Sequence, residues 1–225
     1  MDMRSNILFI KTSKCATESI RLNLFEYAES ELLTVNDGNY DNFFSNSSFN
    51  INTNHIWYDE KSLNHFYNSI DKNLPTLRVS SVREPMKRLY SHYCFGHPKF
   101  LQGMDFNEWY LKVCKGELED EWIVPQWGDR TDNYMWNYMG LNSLDELEEK
   151  YDFIFIKERF SDSLNKFGEL LKYKFTDIPK VNINPKSKKD YQFDSEVLSL
   201  FEERNQKDIS LYNKVLNHFN DKYRT

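Results

Sequence analysis

One lysine and three hydroxyl residues crowd a single short segment, Ser13-Lys14-Cys15-Ala16-Thr17-Glu18-Ser19. That set suits a tetrahedral anion: Lys14 supplies a mobile cation, and the Thr17 and Ser19 hydroxyls supply donors for a phosphate or sulfate. The Walker signature needs two glycines where this loop has none, so a conventional ATPase or GTPase is disfavoured. Taken alone, the segment reads equally well as a strand-to-helix connection with a surface lysine. A second segment, RVSSVREPMKRLYSHY, places Arg83 just past the end of a strand candidate and Ser91 eight residues later, two helical turns along the same face. An arginine and a hydroxyl so spaced can converge on one more anion. The alternative is that Arg83, Lys87 and Arg88 only decorate a solvated helix face. Two such units together fit a ligand with two charged ends.

These segments need elements to hold them. The run Ile7-Leu8-Phe9-Ile10 is short and apolar throughout, as a strand buried on both faces of a parallel sheet would be. From Thr17, the expected N-cap, Ile20, Leu24 and Ala28 recur at helical spacing, which puts the 13–19 loop at a helix N-terminus. Thr76 to Val82 (TLRVSSV) predicts a second strand, and Pro85 opens the helix after it, where a missing amide proton costs nothing. Phe153 to Ile156 (FIFI) predicts a third strand, and a short β-favouring stretch is expected at 55–58. Helices are predicted on Leu63 to Ile70, Phe106 to Cys114, Asp132 to Tyr138 and Ser161 to Leu171, and from Asp194 to Phe219 with a break near Asn205. Strands separated by helices imply an α/β fold with a central, mainly parallel sheet. Seven of the nineteen residues from Asn36 to Asn54 are Asn, which predicts a surface loop inside one domain spanning residues 1–225.

Composition narrows the function classes. With 225 residues, 16% aromatics and only 7 Gly and 6 Pro, the chain is long and apolar enough for a buried core, and collagen-like or disordered classes are excluded. A net charge of −6 repels nucleic acid and anionic membranes on average, so any polyanion site must be a local basic patch. No apolar run approaches the length of a membrane span and the N-terminus lacks a secretory signal, so a soluble, cytosolic chain is expected. Cys15, Cys94 and Cys114 lack metal-site spacing, and reduced thiols are expected. Cys15, at a helix N-terminus, could be an activated thiol, although filling the loop is the favoured role. The sequon Asn46-Ser47-Ser48 is read as part of the Asn-rich loop.

In their order, these motifs resemble those of the sulfotransferases that use 3′-phosphoadenosine 5′-phosphosulfate (PAPS), closest to the heparan and dermatan (uronyl) 2-O-sulfotransferase branch. Residues 13–19 are similar to the family's P-K-T-x-S-T-S loop, with Ser for Pro, Cys for Thr and Glu18 for a hydroxyl residue. Residues 82–93 (VREPMKRLYSHY) resemble the L-R-E-P-x-x-R-x-x-S-H-Y signature almost completely. Asp132-Asn133-Tyr134-Met135 through Met139-Gly140, Lys157-Glu158-Arg159-Phe160, and Asn205, Asp208 and Leu211-Tyr212 are similar to its later motifs. The resemblance implies a three-layer P-loop-like fold. It implies that Ser13, Lys14, Cys15, Ala16, Thr17, Glu18 and Ser19 bind the 5′-phosphosulfate, and that Arg83 and Ser91 bind the 3′-phosphate. Lys186 and Lys188, with Lys189, could cover that phosphate or form an ordinary charged cluster.

The implied reaction moves a sulfuryl group in line to a hydroxyl acceptor, a carbohydrate in the first instance, with Lys14 stabilising the leaving phosphate and no metal required. An alcohol acceptor needs a base, and among the five histidines His55 is favoured over His92, His97, His65 and His218 because it resembles the position of the base in that branch. Trp122, Trp127 and Trp136 could line an acceptor pocket or simply pack. The competing readings are a sulfotransferase for a non-sugar small molecule or tyrosine, a nucleotide or small-molecule kinase, and a non-catalytic donor-binding protein, to which Glu18 gives some weight because a carboxylate repels a phosphosulfate.

Overall fold

The computed structural model describes residues 4–37, 43–44, 48–54, 56, 58–95, 103–118, 131–175 and 191–223. Five strands, β1 (Asn6–Ile10), β2 (Val35–Asn36), β3 (Ile51–Asn52), β4 (Thr76–Val82) and β5 (Phe153–Ile156), form one sheet in the order β2-β3-β1-β4-β5. Every pairing is parallel, with Ile7 opposite both Ile51 and Leu77, and Val82 opposite Ile156.

Helices cover both faces, and the alternation of side chains along each strand decides which residue meets which layer. Ile7, Phe9, Val79, Phe153 and Phe155 face α1 (Thr17–Ser30) and α7 (Phe160–Leu171) through Ile20, Leu24, Leu164 and Phe167. Leu8, Ile10, Val82 and Ile156 face the other way. They join Phe66 of α2 (Glu60–Ser69), Tyr134 and Met135 of α5 (Tyr134–Tyr138), Leu147 of α6 (Leu147–Lys150) and Leu211 and Val215 of α9 (Gln206–Lys222). A third cluster joins α3 (Pro85–Phe95), α4 (Phe106–Lys115) and α8 (Ser195–Arg204) through Leu89, Trp109 and Phe201. A 3₁₀ turn, Lys157–Arg159, leads from β5 into α7.

The strand order has a geometric consequence. From β1 the chain crosses to β2 on one side, and from β4 it crosses to β5 on the other. β1 and β4 are neighbours, so their outgoing loops diverge at the carboxyl edge of the sheet, which is where parallel sheets open a crevice.

The Asn-rich segment differs from the surface loop its composition predicts: β3 lies within it, and Asn36, Asn52, Thr53 and Asn54 are all buried. Burial is tolerated because each amide nitrogen finds a partner, although Asn54 Oδ1 is left without one among the described residues. Asn36 Nδ2 donates to Phe43 O at 3.0 Å, Asn52 Nδ2 to Phe9 O at 3.4 Å, and Asn54 Nδ2 to Asn36 O at 2.9 Å. Residues 55 and 57 of the expected 55–58 strand lie outside the described residues. Thr17 is the first residue of α1 and Ala16 its N-cap, with no side chain bonding the cap, so the capping role expected of Thr17 is not taken. Among the described residues, no helix is long and apolar enough to cross a membrane.

Candidate functional site

The site begins with the turn that carries the chain from β1 into α1. Lys14 and Ala16 adopt left-handed backbone, at φ 69° and 63°, although neither is glycine. Each such residue costs about 1–2 kcal/mol, so other contacts must hold the turn. Four do. Thr12 Oγ1 donates to the carbonyl of Ser81 and lies 2.9 Å from the Ser81 hydroxyl. Tyr134 OH accepts from the Ser13 amide at 3.3 Å, and Cys15 Sγ donates to Ser13 O at 3.6 Å. Arg83, immediately after β4, donates from Nη1 to the carbonyl of Lys14 at 3.2 Å.

The two serines that interrupt the apolar pattern of β4 are thereby explained. Ser80 Oγ donates to Ile10 O at 2.9 Å and Ser81 holds Thr12, so both fasten the end of β1 from the neighbouring strand. Arg83 is half-buried, and its Nε is buried with no hydrogen-bond partner. A guanidinium donor left this way carries a desolvation cost that no protein contact offsets. The Lys14 ammonium rests over the exposed ring of Phe95, 3.6 Å from its centroid.

Glu84 starts α3 by accepting from the amides of Met86 at 3.0 Å and Lys87 at 2.7 Å. Its own amide donates to the Glu158 carboxylate at 3.3 Å, and Tyr212 OH donates to the same carboxylate at 3.2 Å. The R-E-P motif is therefore built around the arginine: β4 ends, Glu84 caps, Pro85 begins the helix, and Arg83 is left at the junction. Lys87 is exposed as a solvated face requires, whereas Arg88 is buried, with its guanidinium 4.7 Å from the Tyr134 ring centroid. The picture of Arg83, Lys87 and Arg88 on one solvated face is thus corrected. Ser91 sits two turns along α3, half-buried.

Beneath the loop lies an arrangement that motif reading did not disclose. Asp208 accepts from the first amides of α5, Met135 N at 3.1 Å and Trp136 N at 2.8 Å. Asn133 Oδ1 returns the contact, accepting from the Lys207 and Asp208 amides at the start of α9 at 2.9 and 3.2 Å. Two helices more than seventy residues apart cap each other, and Tyr134 is carried up to the loop as a result. Burial pushes the Asp208 carboxyl above its ordinary value despite the two amides and the nearby Arg88 charge, and burial likewise lowers Arg88. The two shifts agree: for this pair, desolvation outweighs attraction. At Gly140, with φ 64°, a Cβ would lie 2.6 Å from Tyr58 O, which explains the glycine of that motif.

Cys15 is buried, and burial pushes its thiol up to about 12, against the smaller pull of Arg88. It fills the loop and is not an activated nucleophile. Glu18 does not face an anion alone: its carboxylate meets Lys11 Nζ at 3.2 Å and Arg21 Nε at 2.9 Å. Burial acts to raise its pKa, but the Arg21 hydrogen bond and the Lys11 charge outweigh it and hold the carboxyl below its ordinary value.

The structure thus places Ser13, Lys14, Cys15 and Ala16 in one turn, with Thr17, Glu18 and Ser19 in the first turn of α1 after it, and brings Arg83 onto the Lys14 carbonyl. His55, His97, Lys186, Lys188, Lys189, Trp122 and Trp127 lie outside the described residues. His65 is enclosed by Phe43, Phe44 and Phe49, with ring centroids at 4.8, 5.0 and 5.9 Å. His218 lies by Glu148 at 3.5 Å, between α9 and α6. Trp136 is buried in the core and offers no sugar-stacking face, and His92 is buried on α3.

Two described hollows lie elsewhere. The larger, about 520 Å³, runs along the outer side of α1 past Leu22, Phe25, Leu33 and Val35, and the other, about 70 Å³, lies between β5 and α9. The ionisable groups of the larger are Glu26 and Glu29, which repel an anion, so on charge the carboxyl-edge turn is a better anion site than that hollow. Among the described residues no cluster of His, Cys, Asp and Glu could hold a metal ion. No family model matches the chain, and neither does any curated protein.

Proposed function

We propose that this chain is a PAPS-dependent sulfotransferase of P-loop-like fold acting on a hydroxyl acceptor, with a carbohydrate as the first class to test. The observation that carries the reading is the junction of Arg83 with the 13–16 turn. Its Nη1 holds the Lys14 carbonyl and its buried Nε has no protein partner, at the carboxyl edge where β1 and β4 diverge. A loop that offers α1's uncapped N-terminus, a lysine and a second cation suits a donor with two separated phosphate groups.

In this reading the acceptor oxygen forms a bond to sulfur as the bond from sulfur to the 5′-phosphate oxygen breaks. The electron pair stays on that phosphate. Lys14 and the turn's amides stabilise the charge gathering there, and His55 takes the acceptor's proton. The paired state of Glu18 removes the repulsion that would favour a non-catalytic protein. Because the same edge of a parallel sheet also serves nucleoside triphosphates, the kinase reading is the rival that the experiment must separate. Calorimetry with 3′-phosphoadenosine 5′-phosphate (PAP), ADP and ATP is the first test, with tighter binding of PAP expected. Transfer of labelled sulfate from PAPS to a panel of saccharide and non-sugar hydroxyl acceptors, with EDTA present, is the second. Preference for ATP, or transfer that requires Mg²⁺, would overturn the proposal.

A further inference from the structure

Four ionised side chains form a line across the carboxyl ends of β1, β3 and β2, beside the anion turn. Lys11 Nζ meets Glu18 Oε1 at 3.2 Å, Glu18 Oε2 meets Arg21 Nε at 2.9 Å, and Arg21 Nη1 meets Asp37 Oδ2 at 2.9 Å. Thr53 Oγ1 then donates to Asp37 Oδ1 at 2.6 Å. The members come from four places in the fold: Lys11 directly follows β1, Glu18 and Arg21 stand in the first turns of α1, Asp37 follows β2, and Thr53 follows β3. The side chain of Lys11 is only 5% exposed, so Glu18 compensates a cation that is largely out of water, and removing the carboxylate strands it. Thr53 is fixed twice, by its side chain and by its amide, which donates to Asn36 O at 2.9 Å.

We propose that Glu18 is a positioning residue: with Arg21 and Asp37 it couples the anion turn to the end of β3 at Thr53-Asn54, directly before His55 in the sequence. A carboxylate at this point looks unfavourable for binding an anion, but both its oxygens are engaged by cations of the protein. It acts through the placement of its neighbours and touches no reacting atom. The catalytic consequence rests on the proposed sulfotransferase reading. The coupling itself does not, and can be measured without any donor.

The variants are Glu18→Gln, Asp37→Asn and the double substitution, each in the full chain. In Glu18→Gln without ligand, hydrogen exchange of the Thr53 and Asn54 amides should speed up by about 3–10-fold while that of Ile156, on the far edge, stays unchanged. With donor, single-turnover transfer at saturating PAPS should fall by about 10-fold while PAP affinity moves by less than about 3-fold, a misplacement effect. Asp37→Asn should match it, and the double variant should be no worse than either, because all three break one line. Unchanged exchange at Thr53 and Asn54 overturns the coupling whatever the activity. Additive losses in the double variant overturn it as well. PAP binding at least about 10-fold tighter in Glu18→Gln would mean that Glu18 simply repels the anion, and would also overturn it. A wild type that binds no PAP refutes the sulfotransferase reading instead, and the exchange experiment still decides the coupling.

Discussion

Replacing Arg83 tests the junction on which the functional reading depends, because the guanidinium has two separable duties. Without ligand it donates one half-buried hydrogen bond, from Nη1 to the Lys14 carbonyl at 3.2 Å, across the turn where Lys14 and Ala16 hold left-handed backbone. A hydrogen bond from a charged donor contributes about 1.5–3 kcal/mol when well enclosed, and partial exposure reduces that to about 1–2 kcal/mol here. Arg83→Ala should therefore lower unfolding free energy by about 1–2 kcal/mol in urea denaturation without ligand.

The second duty belongs to Nε, which is buried and has no partner in the protein. If it and the rest of the fork hold the 3′-phosphate, the substitution should weaken PAP by about 1.5–3 kcal/mol, or about 10- to 150-fold in Kd by calorimetry. AMP and ADP, which lack that phosphate, should lose far less. Arg83→Lys keeps the charge without the fork, so it should recover part of the stability and little of the PAP preference. Equal losses for PAP and ADP would refute the phosphate assignment and leave a purely structural arginine. Unchanged stability and unchanged affinity together would refute both duties.

Other outcomes follow from the same geometry. Asp208→Asn leaves one of the two amides at the start of α5 without a full partner and should cost about 1–3 kcal/mol. Because burial raises the folded pKa of Asp208 above the ordinary 3.8, there is a pH window between the two values in which the folded chain keeps a proton that the unfolded chain has released. Stability from this group is therefore full below that value and declines as pH rises through the folded pKa, so the advantage of wild type over Asp208→Asn in urea midpoints should be largest near the acid end and shrink upward. Ala16→Gly removes the left-handed penalty at φ 63° and should stabilise the chain by about 0.5–1 kcal/mol after the greater freedom of glycine in the unfolded state, read by denaturation. His55→Ala should cut single-turnover transfer by about 10²–10⁴-fold with PAP affinity nearly unchanged, and comparable turnover would move the search to His92 or His97.

Local pattern carried a large part of the fold. The apolar runs at 7–10 and 153–156 are strands because such runs bury in a parallel sheet, the β-favouring stretch 76–82 is a strand with only its second half buried, and the break at Asn205 separates two helices as its pattern implied. The placement of the turn was legible too: Lys14 and the hydroxyls of 13–19 stand together because they are neighbours in the chain, and Arg83 stands at the end of β4 because Glu84 and Pro85 start a helix after it.

What sequence could not disclose are relations between distant residues, whose energies depend on contacts that no local window contains. The order β2-β3-β1-β4-β5, which puts β1 beside β4 and Arg83 on the Lys14 carbonyl, is one. Val35–Asn36 and Ile51–Asn52 are strands despite their asparagines because neighbouring carbonyls satisfy the amides in the folded state only. Arg88 follows a pattern that suits a solvated face, yet it is buried because Tyr134 and Asp208 arrive from elsewhere in the chain. Glu18 reads as a defect in an anion loop until Lys11, Arg21 and, through Arg21, Asp37 are seen around it. Residue type and spacing determined which groups were available for chemistry, and tertiary contacts decided which of them are held, paired or left without a protein partner.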